Sequence, residues 1–244
     1  MQNKIDLEKT IDRWNEEFTS NARKPLEDLS KYSTESLEWL MMEHYQFSFT
    51  NCQFLWDAAE TTGGFDTDAV KKELTRNYKE ESGHAALYKL ALKKVGSDVD
   101  TRVEFAPTTN FLRSIGELCK GEPSAVLGTM FATETAAIFE HQVFLHVSEE
   151  VVARREAGAE GKPLLGFHQM HLDGVEQSHK DELGIFLRDV YADQPVVPAE
   201  GNRPTMYPQQ VLDGGKAGIE LMKTWWAGLF AELNAQNGIL AKAA

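Results

Sequence analysis

Two Glu-x-x-His quartets, Glu81-Ser82-Gly83-His84 and Glu176-Gln177-Ser178-His179, stand far apart in a chain of 244 residues. Three residues turn a helix through about 300°, so the carboxylate and the imidazole of each quartet project from one face, one turn apart, and can grip a single metal ion. Helical bundles build di-iron and di-manganese sites from two such quartets, each partnered by a lone Glu on another helix. Glu43 and Glu134 are the lone carboxylates here, giving the order Glu, Glu-x-x-His, Glu, Glu-x-x-His. The pattern points to a metal-dependent oxidase.

The side chains must also point inward. Apolar residues recur at three- and four-residue spacing almost throughout, and strand-like alternation is hard to find, so the fold class is all-α. On the stripe Leu74, Tyr78, Glu81, Ala85, Tyr88, a charged residue interrupts an apolar face, with His84 beside it. The same happens along Leu127, Met130, Phe131, Glu134, Ile138, His141, Leu145 and along Leu165, His168, Leu172, Glu176, His179, Leu183, Phe186. A fourth stripe is Leu40, Glu43, Phe47, Thr50, Phe54. Four buried, unpartnered carboxylates would cost more than the roughly 5–15 kcal/mol net stability of a domain. A pair of metal ions removes that cost, and carboxylate with imidazole is a ligand mix for iron or manganese. A single Glu-x-x-His arises often by chance on solvated helices; the weight rests on two of them on apolar stripes. Glu80 competes with Glu81 but lies off the stripe. His141 shares the face of Glu134 and is a further candidate, whereas His44 and His146 read as ordinary surface or half-buried histidines.

The elements that carry these stripes are helices expected over 5–20, 34–61, 66–95, 108–119, 123–157, 163–193 and 208–236. Gly63-Gly64, Gly96 and Gly121 are stops, Pro123 falls in a first turn, and residues 158–162 read as a surface loop. Residues 194–208 hold four of the eight prolines and should cross the surface without regular structure. One domain spanning residues 1–244 is the simplest organisation, with its helical core over about 35–236. The net charge of −13 and the lack of a basic stripe argue against a nucleic-acid partner. Cys52 and Cys119 show no metal or redox spacing and read as reduced core residues. No run approaches the roughly 20 apolar residues of a membrane span, and residues 1–12 lack the apolar stretch of a signal peptide, so a cytoplasmic protein is expected.

The segment Asn77-Tyr78-Lys79-Glu80-Glu81-Ser82-Gly83-His84, with Leu87-Tyr88 and Val95-Gly96, resembles the third-helix signature of haem-oxygenase-like proteins. Met130-Phe131-Ala132-Thr133-Glu134 is similar to their later Glu-bearing helix, and Phe167-His168 to His179 resembles their His, carboxylate, His helix. The nearest group is the haem-oxygenase-like di-metal oxidases, among them the Chlamydia protein associating with death domains and the alkene-forming fatty-acid decarboxylase; the resemblance covers roughly residues 35–190. It implies a seven-helix bundle, two iron ions with manganese as an alternative, no haem, and O2 with a small organic molecule as substrates. A homodimer is compatible with it. The implied ligands are Glu43, Glu81, His84, Glu134, Glu176 and His179. The family's extra histidine, one turn before the last carboxylate, falls on Leu172. His171 lies next to that place but is rotated about 140° from Glu176 in a regular helix. A π-type bulge at Gly174 would bring it in, leaving His168 in the pocket. Phe47, Phe54, Tyr78, Tyr88 and Phe131 are the candidate pocket walls, although core packing explains any one of them equally well. Arg102, Arg113 and Lys120 are cations that could face a substrate carboxylate.

Two other readings remain. One is a metal-free enzyme on the same fold, thiaminase-like or of the quinone-biosynthesis type, for which Cys52 falls about 180° around the helix from Glu43. The other is a non-enzymatic iron-binding or interaction protein.

Overall fold

The computed structural model describes residues 4–63, 65, 68–192 and 206–238. Regular structure among them is helical: α1 (Leu7–Arg23), α2 (Thr34–Thr62), α3 (Ala69–Glu81), α4 (His84–Lys94), α5 (Ala106–Leu118), α6 (Pro123–Arg154), α7 (Gly158–Met170), α8 (Glu176–Gly184) and α9 (Pro208–Gln236). A π turn over His171–Val175 joins α7 to α8. Counting α3 with α4 and α7 with α8, these helices form the seven rods of the expected bundle.

Local chemistry sets the ends. The Asp6 side chain accepts from the Lys9 amide at the start of α1, and Ser33 does the same for Ser36 at the start of α2. Pro107, Pro123 and Pro208 sit in first turns, where the missing N–H is not needed. Residues 158–162, expected as a loop, instead form the start of α7, and Pro163 lies inside that helix. The expected helix over 163–193 stops at Gly184. The proline-rich stretch 194–205 falls outside the described residues.

Helix α6 is the axis of the bundle, buried on nearly every side and packed against α1, α2, α7, α8 and α9. Its approach to α9 depends on two glycines: a Cβ on Gly128 would lie 1.9 Å from the Val211 carbonyl oxygen, and one on Gly214 equally close to that of Ala125. Trp225, Trp226, Phe111, Phe131 and Phe144 fill the interior. On the other side of α6, helices α2, α3, α4, α7 and α8 surround a polar centre. No helix among the described residues is long and apolar enough to cross a membrane.

Candidate metal centre

Both quartets sit at interruptions of helical structure. The expected continuous helix over 66–95 is broken: α3 ends at Glu81, Ser82 is extended, and Gly83 takes φ +126°. That conformation is open to glycine and strained for other residues. His84 therefore opens a new helix, yet its Nδ1 stays 2.9 Å from Glu81 Oε2. At the second quartet the π turn stands where the sequence reading puts it, with Gly174 at φ +122°. The extra residue in the turn carries His171 round to the side of Glu176, and its Nε2 lies 4.0 Å from Glu176 Oε1, 3.7 Å from Glu81 Oε2 and 3.1 Å from His84 Nδ1.

Helix α6 supplies two more groups. Glu134 Oε2 accepts from His179 Nδ1 at 3.1 Å, and His141 Nε2 is 3.4 Å from Glu176 Oε1, with the His141 ring stacked on His171 at 4.0 Å. Glu134, His141, His171, Glu176 and His179 are buried, while Glu81 and His84 are half-buried. Three overlapping sets bring their donor atoms within 4.8 Å of one another: Glu81 with His84 and His171; His141 with His171 and Glu176; Glu81 with Glu176 and His179. The first two sets are each two imidazoles and one carboxylate, the combination that suits non-haem ferrous iron.

The histidines present one nitrogen inward because the other is engaged outside. His171 Nδ1 donates to the Phe167 carbonyl at 2.7 Å, His179 Nε2 donates to Glu80 at 3.0 Å, and His141 Nδ1 lies 3.1 Å from His168 Nδ1. Glu80 is in turn held by Arg76 at 2.7 Å. Partners of this kind orient metal-binding imidazoles. Glu80 was set aside in the sequence because it lies off the apolar stripe; its role depends on α8 crossing α3, which no local pattern encodes.

The charges respond to this crowding. Burial alone would push Glu81 up, but the neighbouring His171 and His84 imidazoles outweigh it and hold the carboxyl at about 2. Glu176 is likewise pulled well below the usual carboxylate range by His141 and His179 against the effect of burial. For Glu134 burial prevails and its carboxyl is raised. Burial would lower His179, but Glu134 and Glu176 drive it up to about 11. The proton of the Glu134–His179 pair resides on His179, which Glu80, Glu134 and Glu176 all face.

The donor set fits a pair of iron or manganese ions. Glu81 Oε1 is buried with no hydrogen-bond partner, a free acceptor on a carboxylate whose other oxygen faces His84 and His171. One turn before it, Asn77 is fully buried with neither amide atom partnered. A cavity of about 30 Å³ runs beside the cluster, lined by Phe47, Ser48, Asn51, Thr133 and Phe167 among others. That is room for about two water-sized bodies.

Glu43 stands elsewhere, which corrects its assignment as a ligand. It is fully buried and gripped by Arg102 through two bonds of 2.7 and 2.8 Å. His44 and Phe47 face the cavity instead, so the helix presents a face one residue round from the expected one. The N-terminal half of α2 is buried on most sides, so its apolar stripe does not select a direction. Arg102 is thereby also removed as a substrate cation, while Arg113 bonds Asn110 on the surface and Lys120 pairs with Asp57.

Of the expected pocket walls only Phe47 lines this cavity. Phe54 packs on Phe47 in the core, and Phe131 is buried within α6 near Gly184. Tyr78 meets Trp56 at a surface hollow shared with Cys52. Tyr88 is stacked on Phe167 and bonded to His44 Nδ1 at 3.2 Å, and His168 lies behind His141. Core packing accounts for these positions. Phe167 and His44 line the cavity without having been expected to; nothing in the period of their helices separates them from other buried residues.

No protein-family model matches the chain, and no curated protein matches it. Solved structures do. A CADD-like protein of unknown function from Nostoc punctiforme PCC 73102 superposes with a TM-score of 0.75 at 23% identity, over 93% of this chain and 96% of that one. A domain of unknown function with a heme oxygenase-like fold from Shewanella denitrificans OS217 gives 0.65 at 15% identity, over 98% and 97%. The chain has the haem-oxygenase-like fold. Within this haem-oxygenase-like bundle, the polar centre is the cluster just described.

Proposed function

We propose that this chain is a non-haem di-metal oxidase that uses O2 to oxidise a small organic substrate. The observation that carries the reading is the convergence of Glu81, His84, Glu134, His141, His171, Glu176 and His179 in the interior, from helices far apart in sequence. Glu81 with His84 and His171 would hold one ion and Glu134 with Glu176 and His179 the other, with His141 Nε2 beside Glu176. A reduced pair of ions supplies the electrons and open coordination positions for O2 activation.

The chain's own residues do the rest. Glu81 and Glu176, already ionised, provide negative charge without a protonation change. His179 keeps its Nε2–H on Glu80, and its Nδ1, facing Glu134, must give up its proton before it can bind a metal. Phe47 and Phe167 give the cavity its apolar wall. A thiol-based mechanism is less well supported, because Cys52 lies at a separate surface hollow with Trp56 and Tyr78.

The test is anaerobic loading with ferrous iron, followed by metal analysis and O2 uptake. Close to two ions per chain and rapid oxidation on exposure to air are expected. Folded protein that retains no transition metal would overturn the reading.

A further inference from the structure

His168 is fully buried, and its Nε2 has no hydrogen-bond partner. Around it are Tyr88, Phe144, Phe167 and His44, an apolar and aromatic setting in which leucine or phenylalanine would pack without stranding a polar atom. Fully buried among rings, with no carboxylate in contact to balance a charge, the ring is neutral. A neutral imidazole carries one proton, and only one polar contact uses it: the 3.1 Å approach of His168 Nδ1 to His141 Nδ1.

That contact has two proton arrangements. In one, His168 donates, His141 Nδ1 accepts, and His141 carries its proton on Nε2, where it faces Glu176 Oε1 at 3.4 Å. In the other, His141 donates from Nδ1 and His168 accepts, which frees the Nε2 lone pair of His141 toward His171 and Glu176. Only the second allows His141 Nε2 to bind a metal.

We infer that His168 is the positioning residue for His141, accepting its Nδ1 proton so that Nε2 is free to take a metal beside His171 and Glu176. This rests on the metal reading above and extends it to a residue with no contact to the cluster's carboxylates. The unpartnered Nε2 is then the cost of keeping an acceptor at Nδ1, and it explains why a histidine rather than an apolar residue fills the position.

The test compares wild type with His168→Phe and His168→Gln, using Fe(II) or Zn(II) titration, metal analysis, and histidine 15N NMR of the zinc-loaded protein. His168→Phe is expected to remain folded and to weaken the binding of one ion by roughly 10–100-fold. His168→Gln, whose amide oxygen can accept from His141, should recover much of that loss. In the zinc-loaded wild type His141 should carry its proton on Nδ1. Unchanged affinity in a folded His168→Phe protein, or an Nε2–H tautomer of His141 in the loaded wild type, overturns the inference while leaving the metal reading intact. A wild type that binds no metal overturns both.

Discussion

Replacing Glu43 by Ala separates the two roles open to this residue, metal ligand and structural anion. In the structure its carboxylate is completely buried and takes both donors of Arg102, whose side chain is 12% exposed. Removing one partner of a buried pair typically costs about 3–5 kcal/mol, because the remaining charge is left without compensation. Arg102 keeps a route to water, which places the expected loss near the lower end, about 3 kcal/mol. For a domain of this size each kcal/mol lowers the Tm by about 2–4 °C, so Glu43→Ala should melt roughly 6–12 °C below wild type. Metal stoichiometry after anaerobic loading should not change. A Glu43→Leu, Arg102→Met double variant should regain most of the stability, since an apolar pair of similar volume leaves no stranded charge. The assays are thermal unfolding by circular dichroism on metal-free protein and metal analysis on loaded protein. A Glu43→Ala protein with an unchanged Tm that loses an ion would refute this reasoning and return Glu43 to the ligand set.

Gly174→Ala should cost about 1–3 kcal/mol in chemical denaturation and weaken metal binding. The strain comes from φ +122° rather than crowding, since no atom lies within 4 Å of the added Cβ. Gly166→Ala, in the regular part of α7 with equally open space, should instead gain about 0.4–1 kcal/mol. Glu140 accepts from the Trp226 indole at 3.1 Å and is pushed by burial up to about 8. A carboxyl raised in the folded state holds its proton more tightly there, so metal-free wild type should lose stability as pH rises from about 4.5 to about 8, by on the order of 4 kcal/mol in total. Glu140→Gln keeps the acceptor and should flatten that profile in urea titrations, matching wild type near pH 4 and exceeding it at pH 8. Glu134→Gln should lower the metal-free Tm by several degrees, because the proton on His179 loses its buried counter-charge, and should diminish the Tm rise on adding ferrous iron. An unchanged metal-free Tm would show instead that Glu134 carries the proton in the folded protein.

Local spacing in the sequence was enough to reach the all-helical fold and the two quartets, and the turn at Gly174 followed once the family resemblance called for a further histidine on that helix. Each is a short-range property: apolar residues recur at the helical period, Glu and His three apart share a face, and a glycine beside a misplaced histidine permits an extra residue in the turn. Tertiary structure decided which face of a helix meets which neighbour. Helix α2 is buried around most of its first half, so its pattern cannot choose between Glu43 and His44, and the choice falls to Arg102, which reaches Glu43 from beyond α4. The partnerships of Glu80 with His179 and of His168 with His141 likewise join residues 99 and 27 positions apart. A hydrogen bond of that kind exists only once two helices cross at one depth and rotation, and residue spacing within either helix carries no record of it.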